Sequence, residues 1–322
     1  MQPMLSVVSP VPGAILLNGR FAGEARPEEP LFFPVSPWGA MYLTLLPLGR
    51  DHLPLTARLT FSAGRLLGLD AAEGLYAVSW PGPVTDLELV PRRWEGAPRR
   101  QVSVSNGVSC ALVEGAETWL EVGSRRLRLP DGARLPEPER REGLLLFTGS
   151  AGDERYLAVL PEAEGAPGQL LRGASIDIEG ALVHVVAPRR DTVGHARLET
   201  WRLADGTIAL ERAEPGWEHG APRWPQTAEA TALAMLEAWF LGLEAEAENW
   251  LAPQLNGRGV LQGLLAGADG CAAMRYALSD GRPAVALLKR EAPNLARAVP
   301  LYYRAVPAAG SQGPWQIAAL EL

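Results

Sequence analysis

Lysine is nearly absent from this 322-residue chain: Lys289 is the only one among 30 cationic residues, and the rest are arginine. Schiff-base and lysine-base chemistry therefore have a single position to draw on. Lys289 lies in Ala-Leu-Leu-Lys-Arg-Glu, an alternating run in which a solvated strand residue is the simple reading. The Gly-Lys-Ser/Thr of a Walker phosphate loop is missing. Cysteine is scarce as well. Cys110 and Cys271 are far apart, which excludes a disulfide framework. No run of 18 apolar residues occurs, so no membrane-spanning helix is read. The first thirty residues carry no charged start followed by an apolar run of signal length. On that pattern the chain reads as cytoplasmic, and export would require a leader removed ahead of Met1.

What is present describes a folded protein. Hydrophobic residues make up 47%, charged residues 21% and aromatic residues 7%, which excludes disorder, collagen and coiled coil. The length suits two domains and a full core without metals or disulfide staples. The net charge of −7 gives no electrostatic drive toward nucleic acid or an anionic membrane, so neither is expected as a partner.

From residue 13 to about 212, short alternating or apolar runs are broken by Gly, Pro, Asn and Asp, a strand-and-turn pattern. Examples are Leu55 to Phe61, Val108 to Val113, Tyr156 to Leu160 and Ala181 to Ala187. Asn18-Gly19, Asn106-Gly107 and Asp205-Gly206 supply the positive φ of tight hairpins. The charged stretch from Leu135 to Glu142, with Pro136 and Pro138, reads as a joint. Two β-rich subdomains are expected, 1–135 and 142–215, as sandwiches or barrels. A propeller-like array is the competing reading, weakened by the lack of a motif repeated at a fixed period of about 40 to 50 residues.

A second joint follows, from Pro215 through Trp217, His219 and Trp224 to Pro225, and there the period changes from 2 to 3.6. Thr227 is a helix cap with Glu229 in the first turn. Leu233, Leu236, Phe240, Leu243, Ala247 and Trp250 form one stripe of a helix that ends at Pro253. A short helix over Gly259 to Leu265 follows. Strands are expected at Ala272 to Leu278, Ala284 to Leu288, Ala298 to Val306 and Trp315 to Leu320. This order, with Ala238-Trp239-Phe240-Leu241-Gly242-Leu243, Ala247-Glu248-Asn249-Trp250-Leu251 and the closing Trp315-Gln316-Ile317, resembles the NTF2-like superfamily over residues 227–322. The resemblance implies a cone-shaped α+β domain in which a curved sheet wraps a long helix, and a homodimer. The fold class expected for the whole chain is thus multidomain, a mainly β N-terminal region plus an NTF2-like α+β domain.

Enzymes of that superfamily usually carry an Asp-His pair in the cone, and from Thr227 onward there is no histidine. No catalytic residue, metal ligand or cofactor is therefore assigned. Trp239, Tyr276, Tyr302 and Trp315 are the candidates to line the cone around a small apolar ligand. His184, Asp191 and His195 are the nearest approach to a metal or acid-base cluster, without the spacing of a known motif. Gly149-Ser150-Ala151-Gly152 is a hairpin turn and not a nucleophile elbow. Cys110 and Cys271 read as inert thiols, and the recurring arginine pairs, interspersed with acids, as a solvated face. Trp38, Trp80, Trp94, Trp119, Trp201, Trp217 and Trp224 make the β region tryptophan-rich. The expectation is a noncatalytic protein that binds a small apolar ligand or assembles with a protein partner. Carbohydrate or cell-envelope binding through those tryptophans is the first alternative, and an enzyme or metal site at His184, Asp191 and His195 the second.

Overall fold

The computed structural model describes residues 3–49, 51–71, 74–93, 99–105, 107–115, 117–134, 137–163, 166–255, 258–308 and 314–322. The fold is mainly β, with several sheets and three α-helices among the described residues. Two compact units form, Met1–Arg92 with Trp224–Leu322, and Arg93–Arg223. This differs from the three-part division expected at 1–135, 142–215 and 227–322.

The continuous unit consists of three four-stranded antiparallel meanders in chain order. The first is β10 (Arg99–Ser105), β11 (Val108–Glu114), β12 (Thr118–Val122) and β13 (Arg125–Leu129). The second is β14 (Glu137–Arg141), β15 (Leu144–Ala151), β16 (Glu154–Pro161) and β17 (Gln169–Gly173). The third is β18 (Ser175–Glu179), β19 (Leu182–Pro188), β20 (His195–Ala204) and β21 (Thr207–Trp217). Each first hairpin turns on a glycine with positive φ: Gly107 at 72°, Gly143 at 72° and Gly180 at 59°. Asn106 of the expected Asn-Gly turn lies outside the described residues.

Stacking explains the residue pattern. Val108, Cys110 and Leu112 of the first meander pack on Phe147, Tyr156 and Ala158 of the second. The opposite face of the second, Leu144, Leu146, Leu157 and Val159, packs on Val183, Val185 and Leu203 of the third. The middle sheet is buried on both sides, so its strands read as continuous apolar runs, Leu144 to Phe147 and Tyr156 to Leu160, where a one-faced strand would alternate. A repeated architecture is therefore present where no repeated sequence motif is legible, because the shared signal is one glycine per hairpin.

Both expected joints carry strand. Pro138 lies in β14 and Pro215 in β21, at the margins of their sheets, where a missing N–H costs no ladder bond. Pro136 lies outside the described residues.

The discontinuous unit begins with a five-stranded sheet of order β3 (Arg20–Ala25), β2 (Gly13–Leu17), β5 (Gly39–Pro47), β6 (Leu55–Ser62) and β7 (Arg65–Ala71). Strand β6 alternates strictly, with Leu55, Ala57, Leu59 and Phe61 inward. They meet β1 (Met4–Val8), β4 (Leu31–Pro34), β8 (Leu75–Ser79) and β9 (Val84–Leu89) through Leu5, Val7, Phe33, Leu75, Leu87 and Leu89. Those four strands continue into the C-terminal segment. The order is β22 (Gly270–Ala273), β23 (Ala284–Ala292), β24 (Leu295–Pro307), β8, β9, β1 and β4. Strand β24 pairs parallel with β8 at Leu295–Arg297 and antiparallel with β25 (Trp315–Glu321) farther along. Its inner half thus joins the N-terminal segment and its outer half the C-terminus.

The expected helix to Pro253 forms in two pieces, α1 (Ala228–Phe240) and α2 (Glu244–Asn249). Gly242, at φ 76°, stops the first: its N–H donates to the Trp239 carbonyl and the Leu243 N–H to the Ala238 carbonyl, a Schellman closure. Thr227 caps α1 as expected, its Oγ1 accepting from the Ala230 N–H. Helix α1 packs on β22, β23 and β25, and α3 (Arg258–Leu264) follows. The strand expected over Ala272 to Leu278 is shorter, since the chain leaves the sheet after Ala273.

Candidate functional site

That departure builds the most chemically distinctive place in the discontinuous unit. Met274, Arg275 and Tyr276 swing off β22 toward the face of β9 that carries Asp86. In the sequence Val84 to Leu89, alternation groups Asp86 with Glu88 as a solvent-facing pair, yet Asp86 is 8% exposed. Three donors converge on its carboxylate. Trp80 Nε1 donates at 2.6 Å and Arg275 Nη1 at 3.0 Å to Oδ2, and the Tyr276 hydroxyl donates at 2.7 Å to Oδ1. A buried carboxylate is tolerated when its lone pairs are filled in this way. The Trp80 and Tyr276 rings meet edge to face at 6.1 Å. Burial, and next the hydrogen bond to Asp86, push the Tyr276 phenol above its ordinary range. The tyrosine is held as a neutral donor in a fixed pose.

Beside it lies a cleft of about 370 Å³, lined by Met274, Tyr276, Leu278, Pro283 and Tyr303, with Glu229 and Arg282 also in its wall. Volumes of this order hold small organic ligands. Tyr303 comes from β24 and Glu229 from the first turn of α1, so sheet and helix each supply part of the wall. Burial, and then the Glu229 carboxylate, raise the Tyr303 phenol. Arg282 is pinned at the rim. Its Nε donates to Asp280 Oδ2 at 2.9 Å, its Nη1 to Glu321 at 3.3 Å, and its guanidinium lies 3.6 Å over the Tyr302 ring. Asp280 is held below its usual value first by the Arg282 side chain and then by the Arg282 backbone N–H.

Of the four residues expected to line the C-terminal cone, Tyr276 lines this cleft. Tyr302 is next to Tyr303 on β24 and lies under Arg282. Trp239 is half-buried near the end of α1, and Trp315 pairs with Pro307 at the far end of β24. Of the four, Tyr276 alone is among the lining residues of this cleft. No protein-family model matches the chain, and no curated protein matches it in sequence. The chemistry of the cleft therefore stands on its own residues.

In the continuous unit, Asp191 and His195 meet and His184 does not join them. Asp191 Oδ1 accepts the backbone N–H groups of Gly194 and His195, both at 2.8 Å, and Oδ2 lies 2.7 Å from His195 Nδ1. Burial raises the Asp191 carboxyl, but the bonds from His195 and Gly194 outweigh it and the net shift is downward. The ring of His195 is 4% exposed and stacks on Trp217 at 4.8 Å. His184 sits opposite Thr200, five residues along β20, which places it roughly 16 Å from His195 at the rise of a strand. This register gives a turn clamp. Among the described residues no three His, Cys, Asp or Glu side chains are grouped to hold a metal.

Within each unit the described tryptophans have their own surroundings. Trp80 is buried on Asp86, Trp217 stacks on His195, Trp201 donates to Glu199, and Trp224 packs against Trp250, while Trp38 is 63% exposed. Trp94 lies outside the described residues. Several arginines are held in ion pairs: Arg100 and Arg126 both reach Glu121, Arg128 reaches Glu117 and Arg140 reaches Glu162. Cys110 is buried and its thiol raised by that burial, as an inert thiol should be. A second cleft, about 650 Å³, includes three such paired groups in its wall, Arg128, Glu154 and Arg172. Sequence reading missed Asp86, Arg275, Arg282, Tyr303 and Glu229 as members of one neighbourhood, since they come from four distant segments.

Proposed function

We propose that this is a noncatalytic binding protein that holds a small ligand with an apolar body in the cleft of Met274, Tyr276, Leu278, Pro283 and Tyr303. The observation that supports it is the combination of that volume with a mixed lining, in which Met274, Leu278 and Pro283 stand beside two tyrosines, one acid and one arginine, and a tyrosine locked by a buried carboxylate. A tyrosine fixed beforehand loses little side-chain entropy on contact with a ligand, so binding is favoured by preorganisation. Residues 227–322 are read as an NTF2-like α+β element: a helix over an antiparallel meander, with Glu229 of the helix and Tyr303 of the sheet both in the cleft wall. Here the element would have extended its sheet through β8.

Native mass spectrometry of the purified chain, followed by a thermal-shift screen of small amphipathic compounds, tests the reading. Hits are expected, and Ala277→Trp, which fills the cleft wall, is expected to abolish them while leaving the fold intact by circular dichroism. Hits that survive Ala277→Trp and Tyr303→Ala would place the ligand elsewhere and overturn it.

A further inference from the structure

The charge around the cleft specifies a class of ligand. One guanidinium in the wall, Arg282, is matched by two carboxylates that hold it, Asp280 and Glu321. Glu229 is a third, exposed at the start of α1 and close enough to Tyr303 to raise its phenol. The neighbouring Arg275 is taken up by Asp86. The wall and its immediate partners thus carry an excess of negative charge beside two tyrosine rings and a methionine. An anion would meet the Glu229 carboxylate and an arginine already engaged by two acids. A neutral apolar molecule would gain nothing from the Glu229 charge beside it. Aromatic faces with a carboxylate nearby are instead the chemistry that recognises alkylammonium groups, through cation–π attraction and a direct charge pair.

We infer that the cleft takes an organic cation, an alkylated ammonium whose charge sits by Glu229 and Tyr303 and whose apolar body lies on Met274, Leu278 and Pro283. This inference rests on the cleft being the binding site. Arg282, stacked on Tyr302 and clamped by two acids, then serves as a fixed wall that closes the rim without contributing free positive charge.

The test is calorimetric titration of the full chain with choline and with its neutral isostere 3,3-dimethyl-1-butanol, which differ in one charged atom. Choline is expected to bind about tenfold more tightly than the isostere. Glu229→Gln, on an exposed helix turn, is expected to erase that preference, and Tyr303→Leu to weaken choline more than the isostere. Equal affinity for the two compounds would overturn the cation assignment and leave the cleft as a site for neutral ligands. No heat from either compound, together with no effect of Ala277→Trp on any hit from the screen, would overturn the cation assignment and the cleft reading with it. A choline preference retained in Glu229→Gln would also overturn the assignment, since the charge would then be read elsewhere.

Discussion

The two units build their sheets by opposite routes. In residues 93–223 pairing runs between strands that follow one another in sequence, in three four-stranded meanders that pack on one another. In the other unit one sheet is assembled from segments about two hundred residues apart, with β24 beside β8 and Tyr276 bonded to Asp86. Local pairing needs little loop closure and folds readily, whereas distant pairing is reached late and depends on a few cross-links. Side-chain clamps accordingly serve different ends in the two places. The Asp191 clamp fastens one turn, and the Asp86 clamp fastens one end of the chain to the other.

The largest test separates the pieces. Residues 93–223 produced alone are expected to unfold in one cooperative transition by circular dichroism. Residues 1–92 alone, which leave the β8 edge without β24, are expected to be unfolded or aggregated. A stable 1–92 fragment would break the contrast.

Next is Asp86→Ala. Removing a buried carboxylate strands the Trp80, Arg275 and Tyr276 donors, and an average cost of about 3 kcal/mol is expected in urea denaturation. A loss below about 1 kcal/mol would show that the C-terminal segment is held by other contacts.

Gly149→Ala probes the local route. A Cβ there would overlap the Tyr156 hydroxyl oxygen and the adjoining ring carbon, and Tyr156 is fully buried between the first two meanders. Overpacking of this kind costs about 2 kcal/mol. The expected signature is a lower melting temperature of the 93–223 fragment as well as of the full chain.

Asp191→Asn sharpens the comparison through pH. The carboxyl is lower in the folded state than in the unfolded chain, so its stabilisation is complete above the unfolded value and fades as pH falls through the folded one. At neutral pH the variant is expected to be less stable by about 1 to 2 kcal/mol, from weaker bonds to His195 and the turn. The gap should close as pH falls below about 4. A gap constant with pH would mean that the charge of Asp191 is not what holds the turn.

The smallest effect belongs to Arg202→Ala. Its bond to Glu211 at 2.7 Å joins two side chains about half exposed, and a change under about 0.5 kcal/mol is expected.

Legibility in the sequence follows the same contrast. Alternation in Leu55 to Phe61 and the glycines at 107, 143 and 180 are local properties, and they yield strands and hairpins directly. The Thr227 cap and the helices after it are local in the same way. The break at Gly242 was within reach, since glycine followed by leucine satisfies a Schellman closure, but a continuous apolar stripe on both sides obscured it. Pro138 and Pro215 read as joints because proline lacks the N–H of a ladder, whereas their strands end the sheets and have a partner strand on one side only.

The cleft was least legible. Tyr276 could be named from its type, but Asp86 sits in an alternating strand as if it faced water, and nothing near it in sequence announces three donors. The sequence by itself determined the β character of the chain, its hairpin turns and the helix-then-meander order of its C-terminal segment, because those depend on period, turn residues and caps within a few positions. Only the tertiary structure decided which strands share a sheet, which carboxylate is buried, and which tyrosines, arginine and glutamate face one cleft, because those depend on contacts between residues that the chain keeps far apart.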